Sequence, residues 1–323
     1  MLQYAARRVL MFVPVVFGVL TIVFISLRSV PGDPAVIFVG PEGTDEDRAR
    51  VTQLLGLDRP LPVQFGIYLW RAVQGDFGRS IFLRTEVSDL IRDTFPATLE
   101  LAVLALVATV IVAVPLGVVA AVRANTPVDF AATLFALLGV SMPIFWFGVL
   151  AILLFSLQLG WLPSFGRGPG LFPALRSGDV GTVVDAVRYA LLPSITLAIT
   201  SIALVARLVR SSMLEILGLD YVRTARAKGL GERRVVLRHA FRNALLPVVT
   251  VLGLQFGTLL GGAVVTEIIF AWPGLGRLIV NAISQRDFPV IQGSVIFVAV
   301  MISVVNLIVD LSYAWINPKI RYD

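Results

Sequence analysis

Nineteen consecutive residues, Val9 to Leu27, carry no charge. Five more stretches of comparable length and apolarity follow, at about 97–122, 130–157, 189–210, 244–268 and 290–315. A bilayer core about 30 Å thick is spanned by roughly 20 helical residues at about 1.5 Å each. The pattern therefore predicts six membrane-crossing helices, about 120 residues in all. Because lipid offers no partner to backbone N–H and C=O groups, such segments are expected to be helical. The whole chain agrees: 57% of its 323 residues are hydrophobic and 15% charged, against about 25% charged in soluble domains. The predicted fold class is an all-α integral membrane protein, with little room for a separate soluble catalytic domain.

The residue inventory narrows the chemistry. There is no Cys, hence no disulfide, thiolate nucleophile, zinc finger or iron–sulfur site. The single histidine, His239, excludes an H-E-x-x-H helix and any His-pair metal site. Neither of the two lysines, Lys228 and Lys319, follows the G-x-x-x-x-G-K-[ST] spacing of a phosphate-binding loop, so the chain does not hydrolyse ATP by that route. No cofactor and no metal are expected in this chain. The net charge of +6 would suit nucleic acid, but its placement fits the positive-inside rule instead.

Taken alternately from an inside N-terminus, the six stretches leave 1–8, 123–129, 211–243 and 316–323 in the cytoplasm. With Arg207 and Arg210 at a helix end, these hold 14 of the 27 basic residues. Ten of the 21 acids lie on the other side, between Asp33 and Asp93. Both termini are thus expected inside. No small-x-small cleavage site follows the first run, only Pro31-Gly32-Asp33-Pro34, so a retained span is expected rather than a signal peptide. In the outer segment, Thr44 with Asp47 predicts a capped helix start and Gly56 its stop. A second short helix is expected from Pro62 to about Val73. The predicted organisation is 1–29 as N-terminus and first span, 30–96 as an external loop with short helices, and 97–323 as a five-helix core containing the cytoplasmic loop 211–243.

That cytoplasmic loop is the most informative segment. Asp220 to Pro247 reads DYVRTARAKGLGERRVVLRHAFRNALLP, and nine bases fall between 207 and 242. The order predicts a short helix over 220–228, a sharp turn at Gly229 and Gly231, and a helix over 232–243. A loop that only sets topology needs the charge and not this layout. An exposed short helix at the membrane surface suits insertion into a groove on a cytoplasmic partner. On the residues alone, a docking element and a charge anchor both remain open.

Tyr221-Val222-Arg223-Thr224-Ala225-Arg226-Ala227-Lys228-Gly229, continued by Leu230, Arg238-His239-Ala240 and Asn243-Ala244, resembles the coupling or "EAA" loop of ATP-binding-cassette importer permeases, in the form found in the dipeptide/oligopeptide/nickel family. The resemblance extends over nearly the whole chain. It takes in Pro31-Gly32-Asp33-Pro34, Gly56-Leu57-Asp58-Arg59-Pro60, Gly75-Asp76-Phe77-Gly78-Arg79-Ser80, Pro96-Ala97-Thr98-Leu99-Glu100, Ser141-Met142-Pro143-Ile144-Phe145-Trp146 and Glu267 to Gly276. The long external loop resembles that of the first permease of each pair. The general importer motif has Glu where this chain has Arg223, and Leu-Pro where it has Phe241-Arg242.

The resemblance implies the binding-protein-dependent (type I) importer fold and a bacterial inner-membrane, multi-pass location. It implies a second homologous permease, two cytoplasmic ATPases that bind ATP and Mg, and an external substrate-binding protein, with membrane lipid around them and no nucleic acid. Short peptides are the implied cargo, with nickel complexes, glutathione or another small solute as alternatives. Residues 224–230 would transmit closure of the ATPases to the permeases.

Several other residues admit two readings. Glu100, Glu267 and Asp310 lie near span ends, where each either reaches the interface or, for Glu100 and Glu267, belongs to a polar path or gate. Glu267 is followed by the rigid turn Trp272-Pro273-Gly274. Ser141 and Pro143 mark a proline-broken helix at a translocation path, or a tolerated kink. Gly253, Gly257 and Gly261 recur every four residues and so line one helix face, for helix packing or for a seam between permeases. Asp33, Asp76 and Glu86 of the outer loop either touch a binding protein or form a solvated face. A gradient-driven transporter would place carboxylates at the midplane, a membrane enzyme would need a clustered acid, Ser/His or metal site, and a channel would need a pore loop. None of the three explains the 220–247 segment.

Overall fold

The computed structural model describes residues 2–29, 34–40 and 43–316. Pro31-Gly32-Asp33, singled out above, lies outside them, as does the side chain of Asp310. The described chain is helical: α1 Leu2–Arg28, α2 Pro34–Val39, α3 Asp45–Leu55, α4 Leu61–Gln74, α5 Val87–Val122, α6 Pro127–Ser141, α7 Ile144–Ala151, α8 Leu171–Ser177, α9 Val180–Leu217, α10 Asp220–Ala227, α11 Glu232–Arg234, α12 Phe241–Ile269, α13 Leu275–Gln285 and α14 Phe288–Ile316. A π-helical segment Ile152–Gln158 continues α7, and another, Val235–Ala240, joins α11 to α12. Among the described residues, β pairing is confined to an isolated bridge between Arg79 and Glu86.

Among the described residues, four helices are long and apolar enough to cross a bilayer, over Val87–Val122, Val180–Leu217, Pro247–Ile269 and Phe288–Val309. The predicted span 130–157 is not one straight rod. Met142 is extended and Pro143 begins the next helix, so Pro127–Ser141 and Ile144–Gln158 meet at 108° and together make at most a fifth crossing. The cause is local: proline has no N–H to donate and pushes the preceding residue out of the helical region. The first predicted span corresponds to a shorter apolar stretch, Leu10–Ser26, within α1.

The chain divides into two compact units. One comprises Met1–Thr98 and Pro273–Leu307. Thr44 and Asp47 form the expected capping box, with Asp47 Oδ2 accepting from both Thr44 N and Oγ1 at 3.2 and 2.7 Å, and Gly56 ends α3 in the left-handed region at φ 61°. The core of this unit is Val87, Ile91, Leu275, Ala282 and Val290, with Phe77, Phe95 and Phe297 packed on it. Phe65 of α4 meets Phe17 and Phe24 of α1 edge-on, at 5.6 and 5.0 Å between centroids.

The other unit comprises Leu99–Trp272 and Ile308–Asp323. Its centre is α9, which packs against α6, α7, α8 and α12. Of the most apolar part of α9, 72% is buried, whereas the three other long spans bury 28–33% of theirs. Small residues make this possible: the buried face of α9 includes Ala186, Ala190, Ser194, Ala198, Ser201, Ala203 and Ala206. Side chains this short let neighbouring backbones close in, which drives helix packing where lipid removes the hydrophobic force. Gly117 of α5 lies against α9 so closely that a Cβ there would stand 2.6 Å from both the Ala206 carbonyl oxygen and Val209 Cβ. Gln255 Nε2 donates to Ser201 Oγ at 3.0 Å, tying α12 to the same helix.

Candidate functional site

The C-terminal end of α9 runs through Gly218 and Leu219 directly into α10. Between them the chain builds a small module with its own core: Val222, Ala225 and Val235 are buried, and Ile216, Leu217 and Leu230 pack against them. Val222 and Ala225 are three residues apart, so they fall on one face of α10. Tyr221, Arg223, Thr224, Arg226, Ala227 and Lys228 are left exposed. The helix–glycine–helix order expected from the sequence is present. Lys228 caps α10, Gly229 turns the chain at φ 77°, and α11 starts after Gly231. Beyond the turn, the helix expected over 232–243 is α11, the π-helical segment and the first residues of α12.

Polar contacts fix the module. Arg226 donates to both carboxylate oxygens of Glu232, at 3.1 and 2.7 Å, across the glycine turn. Those hydrogen bonds hold the Glu232 carboxyl below its ordinary range and raise Arg226 further. Tyr221 Oη donates to the His239 carbonyl at 3.1 Å and accepts from Asn243 Nδ2 at 2.8 Å. Thr224 Oγ1 bonds back to the Asp220 carbonyl at 2.9 Å. Arg223 reaches Asp220 only at 3.5 Å, and Lys228 forms no ion pair among the described residues.

A second polar clamp lies one to two turns up α9. Arg210 Nε and Nη2 meet Asp129 Oδ1 and Oδ2 at 2.5 and 2.7 Å, and Asn125 N donates to the same carboxylate at 2.9 Å. Asp129 is 5% exposed. The start of α6 and the α5–α6 turn are thereby fastened to the helix that carries the module. The sequence analysis does not single out this pair, although its signal is there: an acid in one cytoplasmic loop and a base at the cytoplasmic end of a neighbouring helix.

The candidate path residues have mixed surroundings. Ser141 and Pro143 are exposed and flank the 108° break. The reading in which Glu100 and Glu267 simply reach the interface is corrected, since they are 1% and 0% exposed. Glu100 forms an ion pair with Arg167 and accepts from Leu171 N at 2.9 Å. It therefore fastens the segment before α8, which Gly166 N also holds through the Phe270 carbonyl at 2.8 Å. Enclosure explains the difference: a carboxylate removed from water needs a charge partner and hydrogen bonds, and Arg167, 67 residues away, supplies them. Trp272 is fully buried, and its N–H closes the turn onto the Glu267 carbonyl at 2.8 Å. Of the glycine series, a Cβ on Gly253 would lie 2.4 Å from Val309 Cγ1. Gly257 is buried, while Gly261 is exposed.

These features define the class: a multi-pass, all-α membrane protein whose central helix ends in an exposed, internally braced helix–turn module. Comparison with known proteins gives the family. Residues 113–322 match the model of the binding-protein-dependent transport system inner membrane component, and residues 1–102 match the N-terminal model of the same systems' membrane component. The chain belongs to this family and is a permease, a transport subunit, of an ATP-binding-cassette importer assembled with other subunits.

It is 44% identical over 337 residues to the dipeptide transport system permease protein DppB of Escherichia coli K12, covering 100% of this chain and 99% of that one. It is likewise 44% identical over 334 residues to the di/tripeptide transport system permease protein DppB of Pseudomonas aeruginosa UCBPP-PA14, with 100% and 99% covered. To the glutathione transport system permease protein GsiC of Escherichia coli K12 it is 44% identical over 322 residues, with both chains fully covered.

Proposed function

We propose that this permease forms half of the translocation path of a bacterial inner-membrane importer for short peptides. In this reading a second, homologous permease supplies the other half. Two cytoplasmic ATPases, which bind ATP and Mg, dock on the face of α10 made by Tyr221, Arg223, Thr224, Arg226, Ala227 and Lys228. An external binding protein delivers the cargo, and lipid surrounds the six spans, with both termini inside. The long outer segment 30–96, with its short helices, faces the binding protein.

The observation that carries the reading is the module at the end of α9. An exposed helix braced by its own core and by the Arg226–Glu232 pair moves as a rigid element. Its covalent continuity with the most buried helix of its unit gives any push on α10 a direct route into the membrane. Gly229 and Leu230 shape the turn and seat it. The break at Ser141 and Pro143 and the Glu267–Trp272 turn are the parts assigned here to the path and its outer gate, while Glu100 holds a neighbouring segment and Gly253 and Gly257 pack helices. Similarity along the full chain to permeases named for dipeptides and di/tripeptides supports the peptide cargo.

The equally similar glutathione permease keeps a second cargo reading in play. Reconstitution of the permease with its partners in proteoliposomes distinguishes the two. Uptake of a labelled dipeptide that requires both ATP and the binding protein, and is not displaced by glutathione, is the expected result. Uptake driven by an ion gradient without ATP would overturn the importer reading, and exclusive uptake of glutathione would overturn the cargo.

A further inference from the structure

A cavity of about 690 Å³ opens in the unit that contains the outer segment, between α3, α4, the 76–84 loop and the start of α14. Its size falls within the roughly 300–1,000 Å³ of pockets that hold small ligands. Among the described residues, four arginines line it, Arg50, Arg71, Arg79 and Arg84, against two acids, Asp47 and Asp76. Both acids are already engaged by the protein. Asp47 is bound by Thr44 N and Oγ1, and Asp76 by Arg71 Nε at 3.2 Å and Gly78 N at 3.1 Å.

The remaining cations have no such partners. Arg50 acts on Asp47 only through its charge. Arg79 donates Nε to the Arg84 carbonyl at 2.6 Å, and among the described residues neither Arg79, Arg84 nor Arg50 forms an ion pair. The loop bearing Arg79 and Arg84 is also held in place. Ser80 Oγ, 3% exposed, donates to Asp287 Oδ2, 2% exposed, at 2.5 Å, and Leu83 N donates to Ser80 Oγ at 2.9 Å. Apolar side chains, Val51, Ile81 and Phe82 among them, complete the wall.

We infer that this cavity binds a carboxylate next to an apolar side chain, and that the group it receives is the C-terminal end of the transported peptide. The inference rests on the peptide-importer reading and adds to it an entry site on the permease itself. A surplus of guanidinium groups on an anchored loop suits a carboxylate, which accepts two parallel N–H bonds from one arginine. The apolar wall would take the last side chain, while the peptide's amino end stays toward the opening.

The test uses the complete transporter in lipid nanodiscs without the binding protein, and reads saturation-transfer NMR from alanyl-leucine and from alanyl-leucinamide, which lacks the carboxylate. Binding of the acid and not the amide is expected, with affinity lowered about tenfold or more in Arg79→Gln/Arg84→Gln, as loss of hydrogen bonds to a charged group implies. Arg84→Lys, which keeps the charge and tests that the loop is intact, should give an intermediate loss. Equal binding of acid and amide, no binding of either, or unchanged affinity in the double variant would overturn the proposal. So would a double variant that binds the dipeptide normally but docks the binding protein poorly, because the carboxylate would then come from that protein. Uptake dependent on ATP and binding protein is measured in parallel. If uptake persists without binding at the cavity, the entry site alone is rejected, and if uptake fails in the parent, the importer reading falls first.

Discussion

Arg226 and Glu232, six positions apart, face each other across the glycine turn and are joined by two hydrogen bonds of 3.1 and 2.7 Å. The pair locks the end of α10 to the start of α11, which in the proposed coupling lets the turn transmit displacement instead of absorbing it. Arg226 lowers the Glu232 carboxyl from its ordinary value of 4.5. A depressed carboxyl gives stabilisation that is complete above the unfolded pKa and disappears as pH falls through the folded one. Both side chains are about half exposed, 40% and 55%, so solvent screening limits the pair to about 1 kcal/mol or less. Glu232→Gln should therefore reduce binding-protein-stimulated ATP hydrolysis modestly, by the same factor at about pH 6 and about pH 8. A defect that changes steadily across that range would show that another titrating group controls the turn.

Gly229 tests the turn through backbone geometry alone. Its φ of 77° is in the left-handed region, and a Cβ added there would meet nothing within 4 Å. Gly229→Val should strain the turn by about 1–2 kcal/mol, leave membrane insertion at parental level and reduce coupled ATP hydrolysis. Asn, which tolerates this conformation, should restore most of the activity. A well-expressed Val variant with normal transport would remove the turn from the mechanism.

Two glycines should respond differently to the same change. At Gly117 the obstacle includes the Ala206 carbonyl oxygen, which no side-chain change can move, whereas at Gly253 it is the Val309 side chain. Either Ala substitution should destabilise by about 1–3 kcal/mol through overpacking, read as a lower unfolding temperature in detergent. Val309→Ala should rescue Gly253→Ala, and Val209→Ala should fail to rescue Gly117→Ala fully. Equal rescue at both positions would mean that the α5–α9 approach is looser than the structure has it.

The Glu100–Arg167 pair separates scaffolding from gating. Arg167→Met leaves a buried carboxylate without its partner and should cost about 3–5 kcal/mol. Adding Glu100→Gln should recover much of that loss, since a neutral side chain remains. If the double variant is stable and transports normally, the pair only fastens the segment before α8. If it is stable and fails to transport, Glu100 belongs to the gate.

The sequence exposed periodicity and local stop signals, and missed whatever depended on distant pairing. The capping box at Thr44 and Asp47, the stop at Gly56 and the turn at Gly229 each rest on residues within a few positions, and each is found. The span over 130–157 is legible in hydropathy and its break in Pro143, but the 108° angle is not, because neither signal carries direction. Burial of Glu100 depends on Arg167, and the hold on the 76–84 loop depends on Ser80 reaching Asp287, 207 residues on. No local pattern encodes either contact. Gly117 is illegible for the opposite reason: it stands alone, without the four-residue repeat that marks Gly253.

The most direct test of coupling uses the chain's lack of cysteine. Ala227 is exposed on α10, so Ala227→Cys supplies a single reactive thiol on the proposed docking face. In membranes containing the assembled transporter, that thiol should crosslink to a soluble ATPase, with a yield that changes when ATP is trapped. A thiol that is reactive toward small reagents yet gives no ATPase adduct in either state would contradict the docking of α10 and return the gradient-driven alternative to first place.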